Sequence, residues 1–424
     1  MLKYRVGITN KNMLKQLIYR LFERRHYWRE MSFSEMAELY TSRVLRTLAV
    51  SMVSIFIAIY LYQNGYGLTF IMFYFAGYFV LRSLLAWPFA YLIARIGPKH
   101  ATFISNILYV PALLLFTVIP EYGMLAIVVA GIFQALSVTL YDIAYLVDFS
   151  KVRHEVHSGK ELGYMHMLEQ IAKGLSPVIG GFIAYWFGPQ ATLLVASLTF
   201  GLAALPLLAS PEPVRTNQVI TYHGLPFKTI WGGLVAQLAV GFDFIASGFM
   251  WSLLIALTVF GISSNAIYAQ LGVLSSVTII AGVASAKVFG LLVDKHRSRE
   301  LMKVGVAADI MTHLLRLFAH TPFGVLMVNI ANEASTTAYA LPLTKGYFAQ
   351  ADQLPGYRIV YMSLVSGSAA LGAAIYCSLI GTISMYTGEV ASLQIGYVIV
   401  AVAVLALLVN RLPGLTKHHL LYWK

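Results

Sequence analysis

The chain has 424 residues, of which 58% are apolar and only 11% charged, and it carries a net charge of +12. Soluble domains hold roughly 45–50% apolar and about 25% charged residues, so this composition excludes a water-soluble fold. The basic excess is the kind that Lys- and Arg-rich loops of membrane proteins produce, and nucleic acid is not an expected partner.

Residues 1–43 are polar and basic, with no short apolar core followed by a small-residue cleavage site, so no removable signal peptide is expected. Leu14, Leu17, Ile18, Leu21 and Phe22 share one helical face opposite several cations. That pattern fits an interfacial helix on an anionic leaflet, or equally a solvated leader that orients insertion. Apolar runs long enough to cross ~30 Å of hydrocarbon then occupy residues 44–62, 68–93, 101–119, 124–147, 163–187 and 191–209. A polar linker at 211–228 interrupts them, and they resume at 229–260, 266–291, 301–319, 323–344, 359–386 and 391–410, before a short polar tail at 411–424. No run shows the alternating ten-residue pattern of barrel strands. The expected fold class is all-α: twelve transmembrane helices as two pseudo-symmetric six-helix bundles, residues 44–210 and 229–410.

Every odd-to-even connection is short and lacks Lys and Arg, whereas all but four of the 30 Lys and Arg gather in the other loops and the termini. The positive-inside rule therefore predicts a multi-pass protein of the plasma or inner membrane with both termini cytoplasmic. The four exceptions, Arg82, Lys173, Lys287 and Arg316, fall within spans. Cys377 stands alone in an apolar run, which leaves no disulfide framework and no thiol metal cluster. No phosphate-cradling Gly-rich loop, no paired-His metal pattern and no nucleophile elbow is present, so neither cofactor nor metal is expected and the energy source is a gradient.

Two echoes mark an internal repeat. Gly290-Leu-Leu-Val-Asp294-Lys295-His-Arg297-Ser-Arg299 follows the eighth span as Ala90-Tyr-Leu-Ile-Ala94-Arg95-Ile-Gly97-Pro-Lys99 follows the second, and Ala338-Tyr339 repeats Ala144-Tyr145. Two parallel six-helix units are what such a duplication leaves. With these loops the chain resembles the major facilitator superfamily, whose signature after the second span runs Gly-x-x-x-Asp-Arg-x-Gly-Arg-Arg or Lys. The resemblance implies a cytoplasmic gating role for Arg95, Gly97 and Lys99 in the first copy and for Gly290, Asp294, Lys295 and Arg299 in the second. A basic anchor with an acid at a helix end is the plainer reading. Ala94 stands where the first copy should hold Asp.

Ser176-Pro177-Val178-Ile179-Gly180-Gly181 in the fifth span is similar to the Gly-Pro-x-x-Gly-Gly element of the family's proton-coupled exporters. Physically, Pro177 loosens the helix ladder while Gly180 and Gly181 allow another helix close. Against export, Gly131-Ile132-Phe133-Gln134-Ala135 lacks the arginine that such exporters carry in the fourth span.

An ionisable group in hydrocarbon costs on the order of 2.5–3.5 kcal/mol on insertion scales, so it normally faces protein or water. Arg82, Asp243 and Glu333 fall near the middle of their spans, with Asp142 closer to the cytoplasm. The resemblance places spans one, four, seven and ten around a cavity. Asp243, Glu333 and Asp142 are therefore the acids expected to exchange protons or bind substrate, with pairing to a buried base as the structural alternative. Asn329, Asn332, Tyr141 and Tyr145 are candidate substrate contacts. Glu169 and Lys173 have i,i+4 spacing and predict a structural ion pair, and Asp309, His313 and Arg316 share a face of the ninth span, where stabilisation is favoured over transport. The aromatics of the second span, Phe70 through Phe79, are expected at lipid.

The function that follows is secondary active transport by alternating access, not enzymatic catalysis. The expected coupling ion is the proton, and export of a small amphipathic compound is favoured over import by proton symport. A lipid flippase of the same fold and a membrane-embedded enzyme are weaker alternatives. The expected partners are a small-molecule substrate, protons and membrane lipids, with the protein a monomer.

Overall fold

The computed structural model describes residues 33–152, 158–209, 212, 216–263, 265–294, 297–410 and 412–413. The described residues contain helices and connecting turns but no strand. In the first part of the chain these are α1 (Phe33–Gln63), α2 (Leu68–Ile96), α3 (Pro98–Thr117), α4 (Ile119–Val152), α5 (Ser158–Phe187) and α6 (Pro189–Ala204). The second part holds α7 (Phe227–Ile245, running on to Phe260), α8 (Ala266–Val277 and Ile279–Asp294), α9 (Ser298–Leu315), α10 (Pro322–Asp352), α11 (Arg358–Ser384) and α12 (Glu389–Ala403).

Local chemistry sets the rod ends. Gly97 and Gly188 adopt φ of 91° and 85°, which only glycine tolerates easily, and each is followed by a proline at the first helical position. The hydrogen-bonded run of α4 is broken at Gly123, with φ 55° and ψ −131°, within the predicted 120–123 turn. α1 begins at Phe33 instead of residue 44, so Arg43 and Arg46, expected in the basic leader, lie inside a helix. The predicted amphipathic face at 14–22 lies outside the described residues.

Among the described residues, nine helices are long and apolar enough to cross a membrane. The remaining three predicted spans are helical too: α5, α9 and α10 carry several charged groups each, which lowers their mean hydropathy.

Packing repeats with a period of six helices. α1 packs on α5 and α6, α2 on α4, and α3 on α4 and α6; likewise α7 packs on α11 and α12, α8 on α10, and α9 on α10 and α12. The two sets meet where α2 lies along α11 and α5 along α8, a pair of contacts that the same shift of six exchanges. Small residues permit these approaches: a Cβ at Gly180 would stand 2.7 Å from the Met52 carbonyl, and one at Gly181 would collide with the Tyr268 carbonyl. The Gly-Gly pair of the fifth span thus lets α1 and α8 touch backbone on either side of α5.

Candidate functional site: two buried charge clusters

The larger cluster sits among α7, α9 and α10. Asp243, Asp309, His313 and Arg316 are each at most 3% exposed, so none is hydrated as a surface charge would be. Asp243 accepts from Ser247 Oγ at 2.6 Å and from the Tyr339 hydroxyl. His313 Nε2 lies 3.0 Å from Asp243 Oδ1 and 3.4 Å from Asp309 Oδ2, yet it lines up a full hydrogen bond with neither. Ser335 Oγ donates to the other Asp309 oxygen at 3.0 Å. Arg316 donates to Ser247 Oγ at 3.1 Å and to Asn332 Oδ1 at 2.6 Å, with its guanidinium 5.1 Å from the Trp251 ring centre. Directly after Asp243, α7 switches to a π turn over Ala246–Met250, an irregularity frequent at functional sites, and Ser247 lies within it.

The tautomer of His313 follows from its neighbour. Arg316 Nη1 approaches His313 Nδ1 at 2.9 Å, and since a guanidinium only donates, Nδ1 must keep its lone pair. The ring proton is then on Nε2, facing two carboxylates. Asp243, Asp309 and His313 offer ligand-type atoms within 4.8 Å of one another, but a metal would need the Nε2 lone pair that this arrangement removes. The set is chemically suited to holding protons.

The second cluster joins α1, α3, α4 and α5. Arg46, 3% exposed, donates to Asn106 Oδ1 at 2.7 Å and lies 3.7 Å from the ring centre of Tyr141. Arg43 donates to Glu169 at 2.7 Å and to the Tyr141 hydroxyl at 2.9 Å, and stacks over Tyr145 at 4.1 Å. Tyr141 and Tyr145 stack on each other as well. Glu169 thus takes Arg43 from another helix as an ion-pair partner, where the i,i+4 spacing predicted Lys173. Lys173 is exposed and within electrostatic reach of Glu333.

The other predicted groups are also placed. Arg82 pairs with Asp142 at 2.6 Å, and Asp142 is the open member, its side chain 37% exposed against 10% for Arg82. Glu333 is half-buried and accepts from Gln170 Nε2 at 2.9 Å, across the α10–α5 contact. Asn329 and Asn332, predicted to meet substrate, accept from Trp251 Nε1 and Arg316.

Residues 39–341 match the family described as Major Facilitator Superfamily. The chain belongs to that superfamily. No curated protein matches it by sequence. Its fold is similar to that of the human organic anion transporter MFSD10 (TETRAN), with TM-score 0.66, 10% identity, and coverage of 89% of this chain and 100% of that one. It is similar also to the E. coli fucose:proton symporter FucP, with TM-score 0.61, 14% identity, and 88% and 97% coverage. A POT family transporter in complex with a thioalcohol-conjugated peptide gives TM-score 0.64, 13% identity, and 88% and 95% coverage. The protein is a membrane transporter of this superfamily, not an enzyme.

The superfamily's signature loop can now be located. In the first copy, Lys99 is buried and pairs with Glu38 of α1 at 2.7 Å, a partner the sequence pattern did not name. Gly97 makes the turn, and the Arg95 carbonyl accepts from Asn217 N of the linker at 3.1 Å. Where Ala94 leaves the motif without its acid, Glu212 from the linker accepts from His100 N at 3.0 Å at the start of α3. In the second copy, Gly290 is buried and Arg299 exposed. Asp294 ends α8, and Lys295 lies outside the described residues.

Proposed function

We propose that this protein is a gradient-driven secondary transporter that couples movement of a small solute to protons. Residues 44–210 and 229–410 act as two six-helix bundles that rock about a central passage, and the repeated packing pattern supports that division. The basic loops and both termini face the cytoplasm in this reading.

One observation carries the coupling: His313 Nε2–H stands between two buried carboxylates, with the Arg316 guanidinium against the opposite ring nitrogen. With both acids ionised the cluster holds two negative charges against Arg316, and one added proton makes it neutral. A net charge in hydrocarbon is costly, so protonation and exposure of the cluster are linked, and the proton belongs to the set and not to one residue. Asp243 joins this set to the π turn of α7, and Asn332 joins it to α10. Arg82, Asp142 and Glu333 line the route that substrate takes, with Asp142 its most open charge.

The Ser-Pro-Val-Ile-Gly-Gly element of α5 supports export of a small amphipathic compound. Import by proton symport is the second reading, favoured by the likeness to a fucose:proton symporter. The test is proton flux in reconstituted vesicles under an imposed pH gradient, with tetraphenylphosphonium, fucose and a dipeptide supplied in turn. Solute-dependent dissipation of the gradient supports the proposal, and its direction separates export from import. Solute movement that never alters the lumenal pH overturns the coupling.

A further inference from the structure

The hydrogen bonds at the short-loop end of the bundle form a pattern of their own. Glu389 is the first residue of α12, yet its carboxylate serves the opposite set of helices: Oε2 accepts from the Tyr62 hydroxyl at 2.7 Å and Oε1 from Leu68 N at 3.0 Å. Leu68 opens α2, so its N–H is one of the donors a helix cannot satisfy internally. The residue before it, Gly67, has no side chain to cap it. Glu389 therefore caps α2 from across the molecule while lying in the first turn of α12, where two positive helix ends favour its negative charge.

Gln63 makes a second tie beside the first. Its Nε2 donates to the Ile262 carbonyl at 2.8 Å and its Oε1 accepts from the Tyr268 hydroxyl at 2.6 Å, so one amide joins the end of α1 to α8 and the turn before it. A third tie is the 2.8 Å contact between the Thr69 and Ser384 hydroxyls. All three run from residues before the linker to residues after it, and all sit at the end with the short loops that lack Lys and Arg. They are single hydrogen bonds made by side chains at helix ends, so a separation of the two sets breaks them without unwinding any helix.

We infer that Glu389 and Gln63 form the clasp of a gate that closes the passage at the short-loop end, with Glu389 as its main holding group. The inference rests on the alternating-access reading above, but it makes a claim that transport assays do not decide.

The test is cross-linking in the full chain, reconstituted in liposomes. Thr69→Cys and Ser384→Cys are introduced together; the native Cys377 is fully buried and does not compete. Copper-phenanthroline should join the pair readily. Adding Glu389→Ala should slow the joining about fivefold or more, the size of losing one hydrogen bond of ordinary net strength, and Glu389→Gln should fall between. Tyr62→Phe, which removes one hydroxyl and no charge, gives a smaller slowing and guards against misfolding of the Ala variant. Equal rates in the parent, Glu389→Ala and Tyr62→Phe overturn the clasp. Slowed cross-linking in a protein that moves no proton-coupled solute sinks the transport reading and leaves the clasp standing.

Discussion

Arg46 on α1 and Asp243 on α7 occupy corresponding places in the two sets of helices and carry opposite charge. Arg46 reaches α3 at Asn106 and α4 at Tyr141, whereas Asp243 reaches α9 at His313 and α10 at Tyr339. Each ties the first helix of its set to the third and fourth. The shared geometry fits a duplicated unit, and the reversed charge means the two halves cannot perform the same chemistry: one holds a guanidinium, which only donates hydrogen bonds, the other carboxylates and an imidazole, groups of a kind able to take up a proton.

Arg46 is accordingly expected to stabilise the protein and not to couple transport. Arg46→Met removes the bond to Asn106 and the stacking on Tyr141, and should cost about 2–4 kcal/mol from a buried charge-assisted bond and a desolvated cation–π contact. Thermal unfolding in detergent reads this as a lowered midpoint. Arg46→Lys should recover little of it, because an ammonium lacks the planar fork and face that the site uses.

Arg82 and Asp142 should behave as a pair with one exposed side. Asp142→Asn leaves Arg82, the more buried partner, without its counter-charge, and should destabilise more than removing both charges in Arg82→Gln/Asp142→Asn. A double-mutant cycle on unfolding midpoints checks this. Additive effects would show that the two groups do not act together.

Close approach through the α5 glycines gives a third outcome. Gly181→Leu places a side chain against the Tyr268 carbonyl, so α5 and α8 must separate. Loss of folded protein or a marked fall in thermal midpoint is expected. Gly201→Leu, where nothing lies within 4 Å of an added Cβ, should leave stability within about 0.5 kcal/mol of the parent, as surface substitutions usually do.

Much of this architecture was legible in the residues alone, for reasons of length and solubility. Runs long enough to cross hydrocarbon have one interpretation, and Gly97-Pro98 and Gly188-Pro189 mark rod ends by backbone preference. The site was legible only in pieces. Spacing put Asp309, His313 and Arg316 on one face of α9, but periodicity within a helix does not say which helix covers that face, and only packing brings Asp243 to it. Arg43 and Arg46 were missed because counting basic residues assigned them to the leader. A signal existed in the Tyr141 and Tyr145 spacing on α4, since paired aromatics one turn apart make a surface on which a guanidinium stacks. Glu169 shows the same limit: its i,i+4 neighbour Lys173 was in reach by spacing, yet Arg43 of α1 provides the ion pair.

The central claim is that the Asp243–His313–Asp309 set holds the coupled proton. The most direct measurement is solute-dependent proton flux in vesicles, compared with solute exchange at equal pH on both sides, for Asp243→Asn and Asp309→Asn. The account predicts that gradient-driven flux falls at least about tenfold, near 1.4 kcal/mol of lost coupling, while exchange continues. Unchanged proton flux in both variants, with the loss appearing instead in Glu333→Gln, would contradict it.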